Sequence, residues 1–168
     1  MDPLPGQLLV ATPQLLDPNF HRTVVLMLEH NELGSLGVVI NRPTEVPVLD
    51  ALPGWEDVAV EPAVLFAGGP VEPTGVLGVG RSSDGTVVPA ELERGPDEVG
   101  PVRLFQGYSG WSPGQLQMEL EEEAWWVIDA EDDDVFADDP SELWYRVLGR
   151  QRDERAMFRF WPDDPRLN

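Results

Sequence analysis

Hydrophobic residues along this chain fall into short runs punctuated by Pro, Gly, Asn and Asp, the pattern of strands joined by turns. Residues 8–11 form the first run, ended by Thr12 and Pro13. Residues 15–22 read as a loop with an aromatic plug at Phe20. Residues 23–28 are apolar after the opening threonine, as expected of a strand covered on both faces. The polar stretch 29–35 predicts a somewhat long hairpin connection to a returning strand over 36–40. Asn41-Arg42-Pro43 closes that strand, because the residue before a proline is pushed out of helical space. A single helical turn is predicted between Pro47 and Leu52, with Pro53-Gly54 stopping it. Further strands are predicted over 63–67, 75–80 and 86–88, with turns at Gly68-Gly69-Pro70 and Ser83-Asp84-Gly85. Residues 89–101 are acidic, rich in Gly and Pro and without a period, so a surface loop or a poorly ordered edge is expected there.

The most informative stretch runs from Leu104 to Trp126. A strand over 102–106 leads into Gly107-Tyr108-Ser109-Gly110, read as a sharp turn, and then into a helix. Ser112 and Gln115 have the spacing of a capping box, Pro113 suits the first helical position, and Trp111 and Leu116 are placed as a hydrophobic staple. Leu116, Leu120 and Ala124 predict a buried stripe, with Gln115, Glu119 and Glu122 opposite it. Residues 125–128 return as a strand, followed by an acidic loop over 129–139. A second helix is predicted with Asp139 as cap, Pro140 first, Glu142 completing the box, and Leu143, Trp144, Val147 and Leu148 buried. The tail 150–168 carries Met157, Phe158, Phe160 and Trp161 and is expected to pack back as an edge strand. Strands joined by turns, with two helices late, make the fold class α+β in a single domain over residues 1–168.

Charge narrows the function. The 168-residue chain has 31 acidic and 11 basic residues, a net charge of −20, and every basic residue is Arg. Such a field opposes nucleic acid and anionic membranes. The absence of cysteine excludes disulfides, thiolate metal sites and thiol nucleophiles. No signal peptide is readable in MDPLPGQ, and the longest apolar run is too short to cross a bilayer, so a cytoplasmic protein is expected.

Candidate chemistry is sparse. Gly107-Tyr108-Ser109-Gly110-Trp111 comes close to a nucleophile elbow, but Trp111 stands where the closing glycine belongs. His21 or His30 would have to complete a triad with Ser109. The turn before the helix could hold an anion with help from Arg42 or Arg103. Gly68 and Gly69 could bring backbone close to a ligand, or simply reverse a strand. Asn41 and Arg42 follow a buried strand, where functional side chains often project, the equal alternative being a side chain that bonds its own turn. The acidic run 129–134 lacks the Gly and Glu of a calcium loop, and the two histidines are too far apart for a zinc pair, so neither a metal nor a cofactor is expected. Arg146, Arg150, Arg152, Arg155 and Arg159 form the one basic concentration, with pairing to the 129–139 loop as the plain alternative to nucleic-acid contact.

Four blocks in order, GQLLVATPQLLDPNFHRTVVLMLEH, LGVVINRP, FAGGPV and GYSGWSPGQL with its trailing EL and WWV, resemble the YqgE/AlgH family of bacterial proteins. The resemblance spans Gly6 to about Leu148. It implies a mixed, mostly antiparallel sheet curled into a pseudo-barrel with helices packed outside, a cytosolic location, and a transcriptional-regulator label without a mechanism. It supplies no catalytic residues. Ser112 stands where the family has Gly, and Gln117 where it has Glu. The matching positions able to line a surface site are Asn41, Arg42, Gly68, Gly69, Tyr108, Gly110, Trp111 and Gln115. The expectation is a non-enzymatic binding or regulatory protein acting through a protein partner or small ligand. The alternatives are a DNA-binding regulator and a hydrolase using Ser109.

Overall fold

Among the described residues nine strands form one sheet. The computed structural model describes residues 3–161. The strands are β1 (Leu8–Ala11), β2 (Val24–Asn31), β3 (Gly34–Val39), β4 (Pro43–Pro47), β5 (Val64–Ala67), β6 (Val71–Arg81), β7 (Val87–Ala90), β8 (Val102–Trp111) and β9 (Trp125–Ile128). Short helices α1 (Val48–Ala51), α2 (Pro96–Val99), α3 (Gln115–Glu121) and α4 (Leu143–Gly149) lie between and after them. The main path runs β4-β5-β8-β3-β2-β1-β9, with β6 joining β8 and β7 joining β6. Among the described residues only β5 with β8 is a parallel strand pair. This is the curled, mostly antiparallel half-barrel of an α+β fold.

β8 belongs to both arms. Its first half pairs with β5 and β6, and its last residues, Ser109 to Trp111, pair with β3. Because successive side chains point to opposite faces, the strands feed separate cores. Leu8, Val10, Val24, Leu26, Val38 and Ile40 meet Phe66, Val79 and Phe105 of the other arm, and α4 closes this shared cluster with Leu143, Trp144, Val147 and Leu148. The alternate residues Leu9, Ala11, Val25, Met27 and Val39 pack under α3 with Trp111, Leu116 and Trp125. A third cluster around Val48, Trp55, Leu65, Val102 and Leu104 covers the outer face of the second arm. Each fully buried aliphatic side chain contributes about 1.5–3 kcal/mol.

Several expectations need correction. No long loop joins β2 to β3: His30 pairs with Ser35 and Asn31 with Gly34, so the turn is two residues, Glu32 and Leu33. The hairpin tip extends beyond the core, and its polar residues therefore mimic a loop. The glycines of 107–110 do not turn the chain but lie within β8. The 89–101 segment does lie at the surface, with none of its residues buried, but it is not a plain loop: β7 reaches Ala90, a short 3-10 turn spans Leu92–Arg94, α2 follows, and Leu92 and Val99 pack against the third cluster.

Both predicted capping boxes are incomplete. α3 starts at Gln115 because Gly114 is left-handed at φ 82° and interrupts the helix. The Ser112 N–H does donate to Gln115 Oε1 at 3.0 Å, but the serine hydroxyl takes no helical N–H. Before α4, residues Pro140–Glu142 form a 3-10 turn, and the Asp139 carboxylate pairs with Arg146 instead of capping. The tail forms a 3-10 segment, Glu154–Phe160, and not an edge strand. Phe158 and Trp161 pack against the shared cluster, whereas Met157 and Phe160 are exposed. The part of that expectation covering residues 162–168 lies outside the described residues. Among the described residues no helix is long and apolar enough to cross a membrane.

Candidate functional site

Most of the positions singled out in the sequence gather at one seam, where the ends of β3 and β5 meet the middle of β8. Arg42 and Ala67 are neighbours there, since the Ala67 N–H donates to the Arg42 carbonyl at 2.9 Å. The Gly68 carbonyl accepts the Val39 N–H at 2.9 Å and the Ser109 hydroxyl at 3.0 Å. A Cβ on Gly69 would sit 2.2 Å from the Tyr108 carbonyl oxygen, and one on Gly68 would sit 2.4 Å from that of Gly107. These glycines permit main chain to lie on main chain at β8.

The polar side chains at the seam serve the backbone too. Asn41 is buried; its Oδ1 accepts the Val24 N–H at 2.9 Å and its Nδ2 donates to the Arg22 carbonyl at 2.9 Å. It acts as an extra ladder rung where Pro43 follows. Arg42 donates to the carbonyls of Pro18, Asn19 and His21 at 2.9–3.0 Å. Burial lowers its pKa, with Asp17 opposing the shift. Arg42 thereby pins the loop bearing Phe20, which stacks on Trp111 at 6.2 Å and meets Trp125 edge-on at 5.5 Å.

Trp111 and Gln115 lie one step beyond the seam. The indoles of Trp111 and Trp125 both donate to Glu119 Oε1, at 3.0 and 2.9 Å, and Gln115 donates to Glu119 Oε2 at 2.9 Å. Glu119 thus faces the aromatic cluster, not the solvent side on which the helical stripe placed it. Tyr108 is half-buried against the shared cluster, and Gly110 is exposed. The eight positions therefore do not line one open pocket.

Other candidates also find structural partners. Ser109 is completely buried inside a strand, so the elbow geometry is not formed. Arg103 is 1% exposed and donates to the carbonyls of Val60, Glu61, Val135 and Ala137 at 2.7–3.2 Å, with its guanidinium 4.4 Å over the Phe66 ring. Burial pulls its pKa down to about 10. Neither Arg42 nor Arg103 is directed to the start of α3, where an anion was considered. Arg150 pairs with Asp134 at 2.7 Å and Glu131 at 3.2 Å, Arg146 with Asp139, and Arg155 with Asp153. Among the described residues no group of three or more His, Asp or Glu is placed to hold a metal ion.

One contact escaped the sequence. His30 Nδ1 lies 2.5 Å from Ser35 Oγ, and His30 Nε2 lies 3.1 Å from the Gln117 amide. The two residues are symmetric about the hairpin turn, so a correct two-residue turn would have paired them.

A model of the AlgH-like family, DUF179, matches residues 8–156. The chain belongs to this AlgH-like family. It is 50% identical over 184 aligned residues to a UPF0301 protein of Streptomyces avermitilis, covering 98% of this chain and 95% of the relative. It is 40% identical to a UPF0301 protein of Rhodococcus erythropolis, covering 98% and 90%. Among solved AlgH-like folds, a crystal structure of a Corynebacterium diphtheriae protein, DIP2367, superposes with TM-score 0.88 at 32% identity, covering 94% of this chain and 92% of that one. The solution structure of the AlgH protein from Pseudomonas aeruginosa gives TM-score 0.70 at 27% identity, covering 95% and 94%.

Proposed function

We propose that this AlgH-like chain is a non-enzymatic binding protein that exerts a regulatory effect through a protein partner in the cytoplasm. One observation carries the reading: Asn41, Arg42, Arg103 and Ser109, the side chains best suited to chemistry, are all bonded to main-chain groups of the chain itself. A group spent in this way cannot also engage substrate without dismantling its own scaffold. What remains outside is apolar as well as acidic. Leu33 is 88% exposed at the tip of the β2–β3 hairpin, and Met118 is 60% exposed on α3. Pairing of Arg146, Arg150 and Arg155 with carboxylates weighs against a DNA-binding regulator.

The experiment places a photo-crosslinking amino acid at Leu33 and, as control, at exposed Glu93 in living cells. Capture of one discrete protein from Leu33 but not from Glu93 supports the reading. Turnover of a metabolite by the purified protein, abolished by Ser109→Ala, Ser35→Ala or His30→Ala in a folded variant, contradicts it.

A further inference from the structure

Among the described residues one edge strand of the sheet, short as it is, carries neither proline nor charge. Edge strands are ordinarily blunted by proline or charge, because their unpaired N–H and C=O groups invite another strand. β4 carries Pro43 and Pro47, and β7 carries Pro89. β9, at the far end of the strand order, reads Trp-Trp-Val-Ile and has neither. Its pairing to β1 fixes which groups are left unpaired, Trp125 itself being only 3% exposed. Thr12 donates to the Ala124 carbonyl at 3.0 Å, so the bonded partners along the ladder are Val10 with Trp126 and Leu8 with Ile128. Trp125 and Val127 consequently point their N–H and C=O away from the sheet. Among the described residues no backbone or side-chain group bonds to those four atoms.

Charge says what fits there. A second copy would bring another net −20 against this edge. A basic strand meets the opposite field, because β9 runs directly into the acidic loop 129–139. Within that loop Asp134 and Glu131 are occupied by Arg150, and Asp139 by Arg146. Asp132, Asp133 and Asp138 are in no ion pair among the described residues, and all three line an opening of about 1020 Å³. That opening shares Glu131 and Arg150 with a second one, of about 550 Å³, lined by Val127 and Ile128 of β9. The two openings thus adjoin at Glu131 and Arg150, and Arg155 also lines the one beside β9.

We propose that β9 is the docking edge for an extended basic segment of a partner protein, which adds as the next strand and sets its basic side chains against Asp132, Asp133 and Asp138. Main-chain bonds to Trp125 and Val127 give affinity, and the carboxylates choose the sign of the partner. This rests on the protein-partner reading above.

The test uses the whole protein and three peptides. The first is a capped heptapeptide alternating Lys and Val, the second is the same peptide with N-methylated valines, and the third has Glu in place of Lys. Amide hydrogen exchange is followed at Trp125 and Val127, and affinity by tryptophan fluorescence. The lysine peptide is expected to bind and slow exchange at both amides at least tenfold, while the N-methylated and glutamate peptides fail. The D132N/D133N/D138N variant, with its edge intact, is expected to bind roughly tenfold more weakly. Absence of binding, or equal binding by the N-methylated peptide, overturns the proposal. So does concentration-dependent protection of the same amides without peptide, which would mark a self-association edge. If the edge fails while Leu33 still captures a discrete protein, the partner reading stands and only its seat at β9 is removed.

Discussion

Replacing Arg103 with Met tests how the two arms and the acidic loop are held together. Arg103 is a buried cation whose four hydrogen bonds all go to carbonyl oxygens, two from residues 60–61 and two from residues 135 and 137. Methionine fills similar space but leaves those four acceptors without a donor. At about 1 kcal/mol net for each bond the loss is about 4 kcal/mol, and a charged donor raises that figure. Against it stands the cost of burying the cation: a pKa drawn from 12.5 to about 10 corresponds to about 3 kcal/mol. Charge-assisted bonds taken at about 1.5–2 kcal/mol each, the lower part of their range, total about 6–8 kcal/mol and outweigh that cost, leaving a net loss of about 3–5 kcal/mol. For a domain of this size the melting temperature should fall by about 6–20 °C. Urea unfolding gives the free energy, and hydrogen exchange at Val135 to Ala137 should quicken in the same variant. Arg103→Lys separates charge from shape. Lysine keeps the cation but cannot present the planar fork to both segments, so about half the loss should remain. A methionine variant as stable as the parent would refute the claim that these four bonds tie the loop to the sheet.

Three further outcomes follow from the same geometry. Asn41→Leu should cost about 2–3 kcal/mol in urea unfolding, because the buried Val24 N–H loses its acceptor. Gly69→Ala should fail to fold or lose more than about 3 kcal/mol, since its methyl would strike the Tyr108 carbonyl; Gly54→Ala, at φ 101° with open space, should cost only about 1–2 kcal/mol. The Asp84 carboxyl should titrate at about 2 by NMR, held there first by the Ser82 hydroxyl and then by the Thr86 N–H. Because its folded pKa lies below the unfolded 3.8, its stabilising effect is complete above that pH and fades as pH falls towards 2; Ser82→Ala should move the midpoint up.

Local pattern carried much of the fold. The runs that became β1, β2 and β5 are legible because a strand buried on both faces needs nothing but apolar residues in succession. The stripe of α4 is legible because Leu143, Trp144, Val147 and Leu148 repeat at helical spacing. What local pattern misses depends on distant chain. Gly107 to Gly110 stay within the strand, Gly107 at φ 76°, because Gly68 and Gly69 lie against them. Glu119 turns inward because Trp111 and Trp125 bring two indole donors to one oxygen. The candidate positions suffered most. Asn41, Arg42 and Ser109 look reactive in isolation, and only the folded chain shows main-chain groups already bound to them.

Urea unfolding of Asn41→Ala, Arg42→Ala and Ser109→Ala, compared with the parent, bears most directly on that conclusion. If these side chains are spent on the scaffold, each variant should lose about 1–3 kcal/mol. Stability that is unchanged or raised in all three would mean that the side chains are held for a ligand or a reaction, and would contradict it.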